Sequence, residues 1–295
     1  MIRLFPLINT KPLNECVVAT VHLDGETFLA KNRDRMYAPQ SRIIHELVDG
    51  VEVLYIHDEL TDWSEGLNEF GVGIINSSLM VNYDEMEADI IRQQQSGGDK
   101  EKKGMSPSYD GLKIRTALSK PKLADTLRSV VEFAGDDKKD VGVKGMTMVA
   151  SPKHAFVIEM TSEHLPVIKK IDKPKVTVRT NHGIAYPDTG YTGGEKRDSS
   201  VSRMRIAAKQ LEKVTAPEQI LPTLAKQWTE DPFLNPYRRE NPFHMHTTGQ
   251  VLMNLDQRQM WFRYDENHSR FSGYINRLPK GYQPKIELMR VDLVK

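Results

Sequence analysis

Cysteine is almost missing from this sequence: among 295 residues there is one, Cys16. A single cysteine excludes an intrachain disulfide and any zinc site built from several thiolates. Long apolar runs are missing as well, and none approaches the ~20 residues a membrane-spanning helix needs. The opening stretch MIRLFPLINTKPLNE is broken by Asn9, Lys11 and Asn14, which makes it too short and too polar for a secretory h-region. A cytoplasmic location without a membrane partner is therefore expected. Nor is there an excess of one charge: 41 basic residues against 40 acidic ones leave a net +1. No global field draws such a chain to nucleic acid or anionic lipid. No Gly-rich phosphate loop of the Rossmann or P-loop kind is present, and there is no internal repeat.

What is present reads as alternating strand and turn. The runs Cys16–Leu23 and Thr27–Ala30 flank Asp24-Gly25, a strong hairpin signal. Cys16 thus opens the first strand of an antiparallel pair, and the polar run Lys31–Arg35 follows the second. Val51–Ile56 and Gly71–Ser77 are further strands, the latter apolar enough to be buried on both faces. Residues 84–109 contain QQQSGGDKEKKG and read as a mobile insertion, because they lack an apolar period. A helix is expected over Tyr109–Ala134, interrupted at Pro121. A strand pair follows at Met146–Ala150 with Ala155–Met160, and Val167–Ile171 and Lys175–Arg179 continue the β pattern. Ser199 or Ser200 is expected to cap a helix through Met204, Ala207, Ala208 and Leu211, and a second helix covers Pro217–Trp228. Two late strands, Gly249–Asn254 and Met260–Tyr264, flank the turn Asp256-Gln257-Arg258. Strands at both ends with helices between them argue for an α+β fold rather than a doubly wound sheet.

Taken alone, a lone cysteine is most often a small buried apolar residue. Its company changes that reading. Cys16 is followed by K-N-R-D at Lys31–Asp34, E-G-L-N-E-F-G-V at Glu65–Val72, R-T-N-H at Arg179–His182 and D-S-S-V-S-R at Asp198–Arg203. In this order and spacing the blocks resemble the cysteine Ntn-hydrolases of the choloylglycine hydrolase and penicillin V acylase group, and the related acyl-CoA:6-aminopenicillanate acyltransferases. The resemblance covers most of residues 16–275. It implies a four-layer α-β-β-α sandwich in which residues 1–15 are a propeptide removed by the chain itself at Glu15–Cys16 and residues 16–295 form the mature domain. The implied reaction is hydrolysis of a linear, non-peptide C–N amide through a thioester on Cys16. Neither cofactor nor metal is implied; the partner is a small-molecule amide, and the assembly a homo-tetramer. An acyltransferase using the same acyl-enzyme is the rival activity. A non-catalytic binding module is the rival of another class, motivated by Glu15, where relatives more often carry a small residue or the initiator Met.

The chemistry says what such a site needs. A free thiol, with pKa near ~8.5, requires a base, and an α-amine with pKa near ~7.7–8.0 on the same residue is within reach. By resemblance, Asp34 holds that amine, Asn181 donates to the oxyanion, and Arg203 anchors polar groups of the site. The structural alternatives are a turn cap or a pair with Arg33 or Arg35 for Asp34, a turn residue before Gly183 for Asn181, and a solvated helix face for Arg203. Lys31 stands where many relatives have an arginine; it keeps the charge but loses the planar fork. Ser78 falls near a position where relatives supply an Asn or Tyr, with Asn76 close enough to compete. Arg33 occupies a variable position and stays outside the catalytic set. His244 and His246 share a strand face but lack a third ligand, so an ordinary polar strand end is preferred. Trp228, Trp261 and Phe262 read as core, and Trp63 as lining a pocket mouth.

Overall fold

The computed structural model describes residues 15–79, 109–132, 142–161, 164–172, 174–239 and 245–294. The expected propeptide apart from Glu15, the expected insertion apart from Tyr109, and His244 lie outside the described residues. Two sheets carry the fold. The first has the order β10-β1-β2-β11-β12-β14, with β1 at Glu15–Leu23, β2 at Glu26–Arg35, β10 at Val176–Arg179, β11 at His246–Asn254, β12 at Gln259–Asp265 and β14 at Glu287–Val294. The second has the order β13-β3-β4-β5-β6-β7-β8-β9. Here β3 is Gln40–Val48, β4 Val51–Asp58, β5 Ser64–Asn68, β6 Gly73–Ser77, β7 Gly145–Ala150, β8 Ala155–Met160, β9 Val167–Ile171 and β13 Arg270–Asn276. Neighbouring strands run antiparallel except β12 with β14 and β13 with β3.

The layering follows from alternation along the strands, because successive side chains point to opposite faces. Val18, Leu29, Val251, Met253 and Phe262 of the first sheet meet Ile43, Leu54, Ile56, Ile75, Met146 and Met148 of the second in one buried cluster. The opposite face of the first sheet, with Val17, Ala19, Phe28 and Ala30, packs under α3 (Gly194–Leu211) and α4 (Ile220–Ala225) through Ala207, Leu211, Leu221 and Leu224. The far face of the second sheet, with Val53, Tyr55, Ile74 and Ile158, is covered by α1 (Tyr109–Leu118) and α2 (Leu123–Glu132) through Ile114, Leu118 and Val130. The result is an α+β sandwich with the layer order α-β-β-α, as expected. Among the described residues no helix is long and apolar enough to cross a membrane.

The first hairpin has the predicted turn. Asp24 and Gly25 sit at φ 51 and 84, the pair of left-handed positions that matches the twist of the two strands. Three local expectations need correction. The polar run Lys31–Arg35 does not follow β2 but is its second half, continuing the pairing until Asp34 faces Glu15. Tertiary burial overrides the low strand propensity of these residues. Ser199 and Ser200 do not cap α3, which begins at Gly194 with Gly193 as a cap that offers no side chain. The second helix is shorter than expected: Pro217–Gln219 forms a 3₁₀ turn, and α-helix extends only over Ile220–Ala225.

Candidate active site

Cys16 is the second residue of β1, an inner strand of the first sheet, and its side chain belongs to the cluster between the sheets. Directly across β2 stands Arg33, with Val18 facing Lys31. Residues opposite one another share a face, so Lys31, Arg33 and Arg35 line the side on which the thiol lies. Arg35 comes nearest, with Nη1 3.6 Å from Cys16 Sγ. Lys31 Nζ is 2.5 Å from Glu65 Oε2, and Arg33 Nε is 3.1 Å from Glu65 Oε1, all buried. Burial lowers the Lys31 pKa, while the charges of Cys16 and Glu65 work to raise it. Thus the E-G-L-N-E-F-G-V block supplies a counter-charge to the basic stripe beside the thiol.

Asp34 falls on the other face of β2, towards α3. Its Oδ1 accepts from Thr247 Oγ1 at 2.7 Å, and its Oδ2 is 3.5 Å from Arg203 Nη1. Burial raises the Asp34 pKa to about 6, with Glu15 adding to the rise and Arg203, Arg238 and Thr247 opposing it. The Cys16 N–H does not go to Asp34 in this chain. It donates to Asn181 Oδ1 at 3.0 Å.

Arg203 ties these groups together. Its Nη1 donates to Cys16 O at 3.3 Å and its Nη2 to Asn181 Oδ1 at 3.2 Å. Nη2 also lies 3.0 Å from Glu15 Oε2. One buried guanidinium therefore touches the carbonyl of Cys16, the amide of Asn181 and two carboxylates, the planar fan of donors for which Arg is suited. Asn181 reaches the second sheet, where its Nδ2 donates to Ser77 Oγ at 3.1 Å and to Ser78 O at 2.8 Å.

The structure thus brings Cys16, Asp34, Asn181 and Arg203 together and sets Lys31 on the thiol's face. Ser78 contributes a carbonyl, not a hydroxyl, to Asn181. Asn76 turns elsewhere: its Nδ2 donates to Lys144 O and Thr147 Oγ1, fixing β6 to the start of β7. Glu15, the residue before the nucleophile candidate, is 2% exposed. Its Oε1 accepts from Tyr191 OH at 2.6 Å, and its Oε2 pairs with Arg238 as well as Arg203. Burial works against its charge, but the two guanidinium groups and the phenol prevail and hold its pKa down at about 2.

The two serines inside α3 explain why that block matters. Ser200 Oγ accepts from Asn181 N–H at 3.0 Å, and Thr180 Oγ1 donates to Ser200 O at 2.9 Å. Ser199 Oγ accepts from Arg238 Nη2 at 2.9 Å and donates to Phe233 O at 2.6 Å. One serine positions Asn181, its neighbour positions Arg238. Sequence reasoning missed Arg35, Tyr191, Arg238 and Glu65 as members of the site. Alternation from Lys31 through Arg33 could have found Arg35. Nothing local could have found Tyr191 or Arg238, which are 176 and 223 residues from Glu15.

Other sequence candidates lie apart. His246 stacks on His268 with ring centroids 3.6 Å apart and bonds to Arg239 O. Among the described residues no group of three or more His, Cys, Asp or Glu is placed to hold a metal. Trp63 is partly buried, packs against the cluster under α1 and α2, and has Lys31 Nζ 5.7 Å from its ring centre. No protein-family model matches the chain, and no curated protein does so significantly. Among solved structures it is similar to penicillin V acylase from Agrobacterium tumefaciens, at 11% identity and a TM-score of 0.44, over 84% of this chain and 86% of that one.

Proposed function

We propose that this chain is an amidohydrolase of the N-terminal nucleophile type, in which Cys16, freed by loss of residues 1–15, attacks a linear non-peptide amide. The observation that carries the reading is the polar environment of Cys16. A sole cysteine has its N–H on Asn181, its carbonyl on Arg203 and its thiol beside Arg35. Any buried residue needs partners for its main-chain N–H and C=O, but here both come from buried polar side chains, and a thiol buried for packing alone needs no guanidinium beside its sulfur.

In the proposed reaction the freed amine takes the thiol proton as the sulfur attacks the amide carbonyl. Asn181 Oδ1, already the acceptor of the Cys16 nitrogen, keeps the amine in place, and departure of Glu15 opens the side towards Asp34. Asn181 Nδ2 exchanges its bond to the Ser77 hydroxyl for one to the oxyanion. The C–N bond then breaks, the leaving amine takes the proton, and water hydrolyses the thioester. Arg35 Nη1 lies beside the sulfur and presents a positive charge to it. An added amine or thiol intercepting the thioester would make the same site an acyltransferase.

One observation favours a second reading, an unprocessed binding module: Glu15 is held by three side chains as if it were to stay. Intact mass and N-terminal sequencing of purified protein, followed by amide hydrolysis assays, separate the two. Cys-Val-Val-Ala at the N-terminus with hydrolysis supports the enzyme. A full-length chain that hydrolyses no amide sinks it.

A further inference from the structure

The clamp on Glu15 is over-built for a residue that merely precedes a cleavage point. Arg203 and Arg238 are 0% and 1% exposed. Each is further tied down, Arg203 by Cys16 O and Asn181, Arg238 by Ser199 and by Phe233 O. Tyr191 is oriented from the same loop as Asn181, its N–H donating to Asn181 O at 2.9 Å. Two fixed guanidinium groups and a phenol make a rigid set of donors for one carboxylate. When Glu15 leaves, the carboxylate goes and a new ammonium appears on Cys16. Two buried cations then face Asp34 as the carboxylate still in contact with Arg203. Uncompensated buried charge is unfavourable, so the vacated clamp recruits an anion.

We infer that this clamp of Arg203, Arg238 and Tyr191 becomes, once Glu15 is released, the subsite for a carboxylate on the substrate's acyl group, so that the preferred substrates are amides of a five-carbon dicarboxylic acid, glutaryl or α-glutamyl amides. The inference rests on the N-terminal nucleophile reading above. Its chain length comes from Glu15 itself. Glu15 is the acyl donor of the processing step, and three carbons separate its scissile carbonyl from its carboxylate. A substrate whose carbonyl takes the place of the Glu15 carbonyl, against the same nucleophile and the same Asn181, reaches the clamp with the same spacer. Cys16 Sγ bonds to the glutaryl carbonyl carbon, the C–N bond breaks, and the amine leaves with the thiol proton. Water then adds to that carbon, the C–S bond breaks, a proton returns to sulfur, and free glutarate is released.

The test begins with an intact mass spectrum of the purified full chain. Processed protein is then assayed on glutaryl-, succinyl-, adipyl- and pentanoyl-p-nitroanilide. Glutaryl should exceed neutral pentanoyl in kcat/KM by about 10²-fold or more, because pentanoyl leaves buried polar groups unpaired, with succinyl and adipyl between them. Tyr191→Phe should reduce the glutaryl-to-pentanoyl ratio about tenfold. Free glutarate, and not pentanoate, should raise the melting temperature of the processed protein, a readout independent of turnover. Equal kcat/KM on glutaryl and pentanoyl amides overturns the clamp inference and leaves the amidase reading standing. A processed chain that hydrolyses no amide removes the amidase reading; a glutarate shift then still supports the clamp as an anion site, and no shift overturns it. A chain that keeps Glu15 overturns both, and the mass spectrum reports that before any substrate is added.

Discussion

Glu15 and Asp34 face each other across β1 and β2 as two buried carboxylates that share one guanidinium, that of Arg203. Their surroundings push them apart. Glu15 has Arg203, Arg238 and Tyr191 and is held at about 2; Asp34 has a longer contact to Arg203, suffers the Glu15 charge, and rises to about 6. Titratable neighbours driven in opposite directions are a common mark of a functional site. Here the pair straddles the peptide bond proposed to break.

The first prediction concerns stability in the unprocessed chain, studied with Cys16→Ala so that Glu15 stays. A carboxylate with a lowered pKa stabilises the fold above its ordinary value of 4.5 and loses that contribution as pH falls towards 2. Glu15→Gln should cost about 3–5 kcal/mol at pH 7, the usual loss when one partner of a buried pair is removed. The difference should narrow below pH 4.5. Asp34 has the opposite sign: its ionisation destabilises as pH rises from 3.8 through 6. Asp34→Asn should therefore be less damaging at pH 7 than at pH 4. Urea denaturation at both pH values reads both effects, and a pH-independent Glu15→Gln difference would show that the clamp is not electrostatic.

Cys16→Ala should abolish amidase turnover and retain residues 1–15 while melting as a folded protein. N-terminal sequencing beside an activity assay checks this. Turnover at the wild-type rate by the alanine variant would end the proposed mechanism.

Asn181→Ala should lower the acylation rate by about 10²–10³, the loss typical of one oxyanion donor. Single-turnover measurement on processed protein isolates this step. An unchanged rate would leave Asn181 as a brace between β1 and the end of β6.

Asp34→Asn in the processed enzyme should move the acidic limb of the kcat/KM profile to lower pH. The Cys16 amine loses a carboxylate that favours its charged form, so it deprotonates more readily. A shift in the other direction, or none, would place the amine out of reach of Asp34.

Arg35→Met should slow alkylation of Cys16 by iodoacetamide at neutral pH about tenfold, because reactive cysteines sit in electropositive surroundings and the cation beside this sulfur is gone. Arg35→Lys should restore part of the rate. Equal alkylation rates in all three proteins would make Arg35 a packing residue.

Much of this architecture could be read along the chain. Asp24-Gly25 set the first hairpin, the run Gly71–Ser77, apolar before Asn76, marked a strand that is buried throughout Gly73–Ser77, and Pro121 separated α1 from α2. The four residues singled out along the chain, Cys16, Asp34, Asn181 and Arg203, do come together. Sequence reasoning misjudged the elements whose burial contradicts their composition. Lys31–Arg35 is polar yet lies in the interior, and β5 is short and carries Glu65 inward. Propensity and periodicity describe how a segment meets an apolar core, and neither describes a strand that meets a buried network of charges. β13 and β14 were missed for the opposite reason: they are largely exposed edge strands with weak alternation.

By itself the sequence determined the hairpin that begins at the lone cysteine and the α+β order of elements, since these depend on local backbone preference and residue type; the four polar residues were singled out by the resemblance of their blocks to a family. Only the tertiary structure decided which way each one faces. The register of β1 on β2 puts Arg35, not Asp34, on the side of the thiol. The return of the chain at Tyr191 and Arg238 closes a clamp on Glu15 from residues with no local reason to be there. Strand register fixes faces for every residue at once, and packing distant segments fixes partners; neither is carried by any short stretch of sequence.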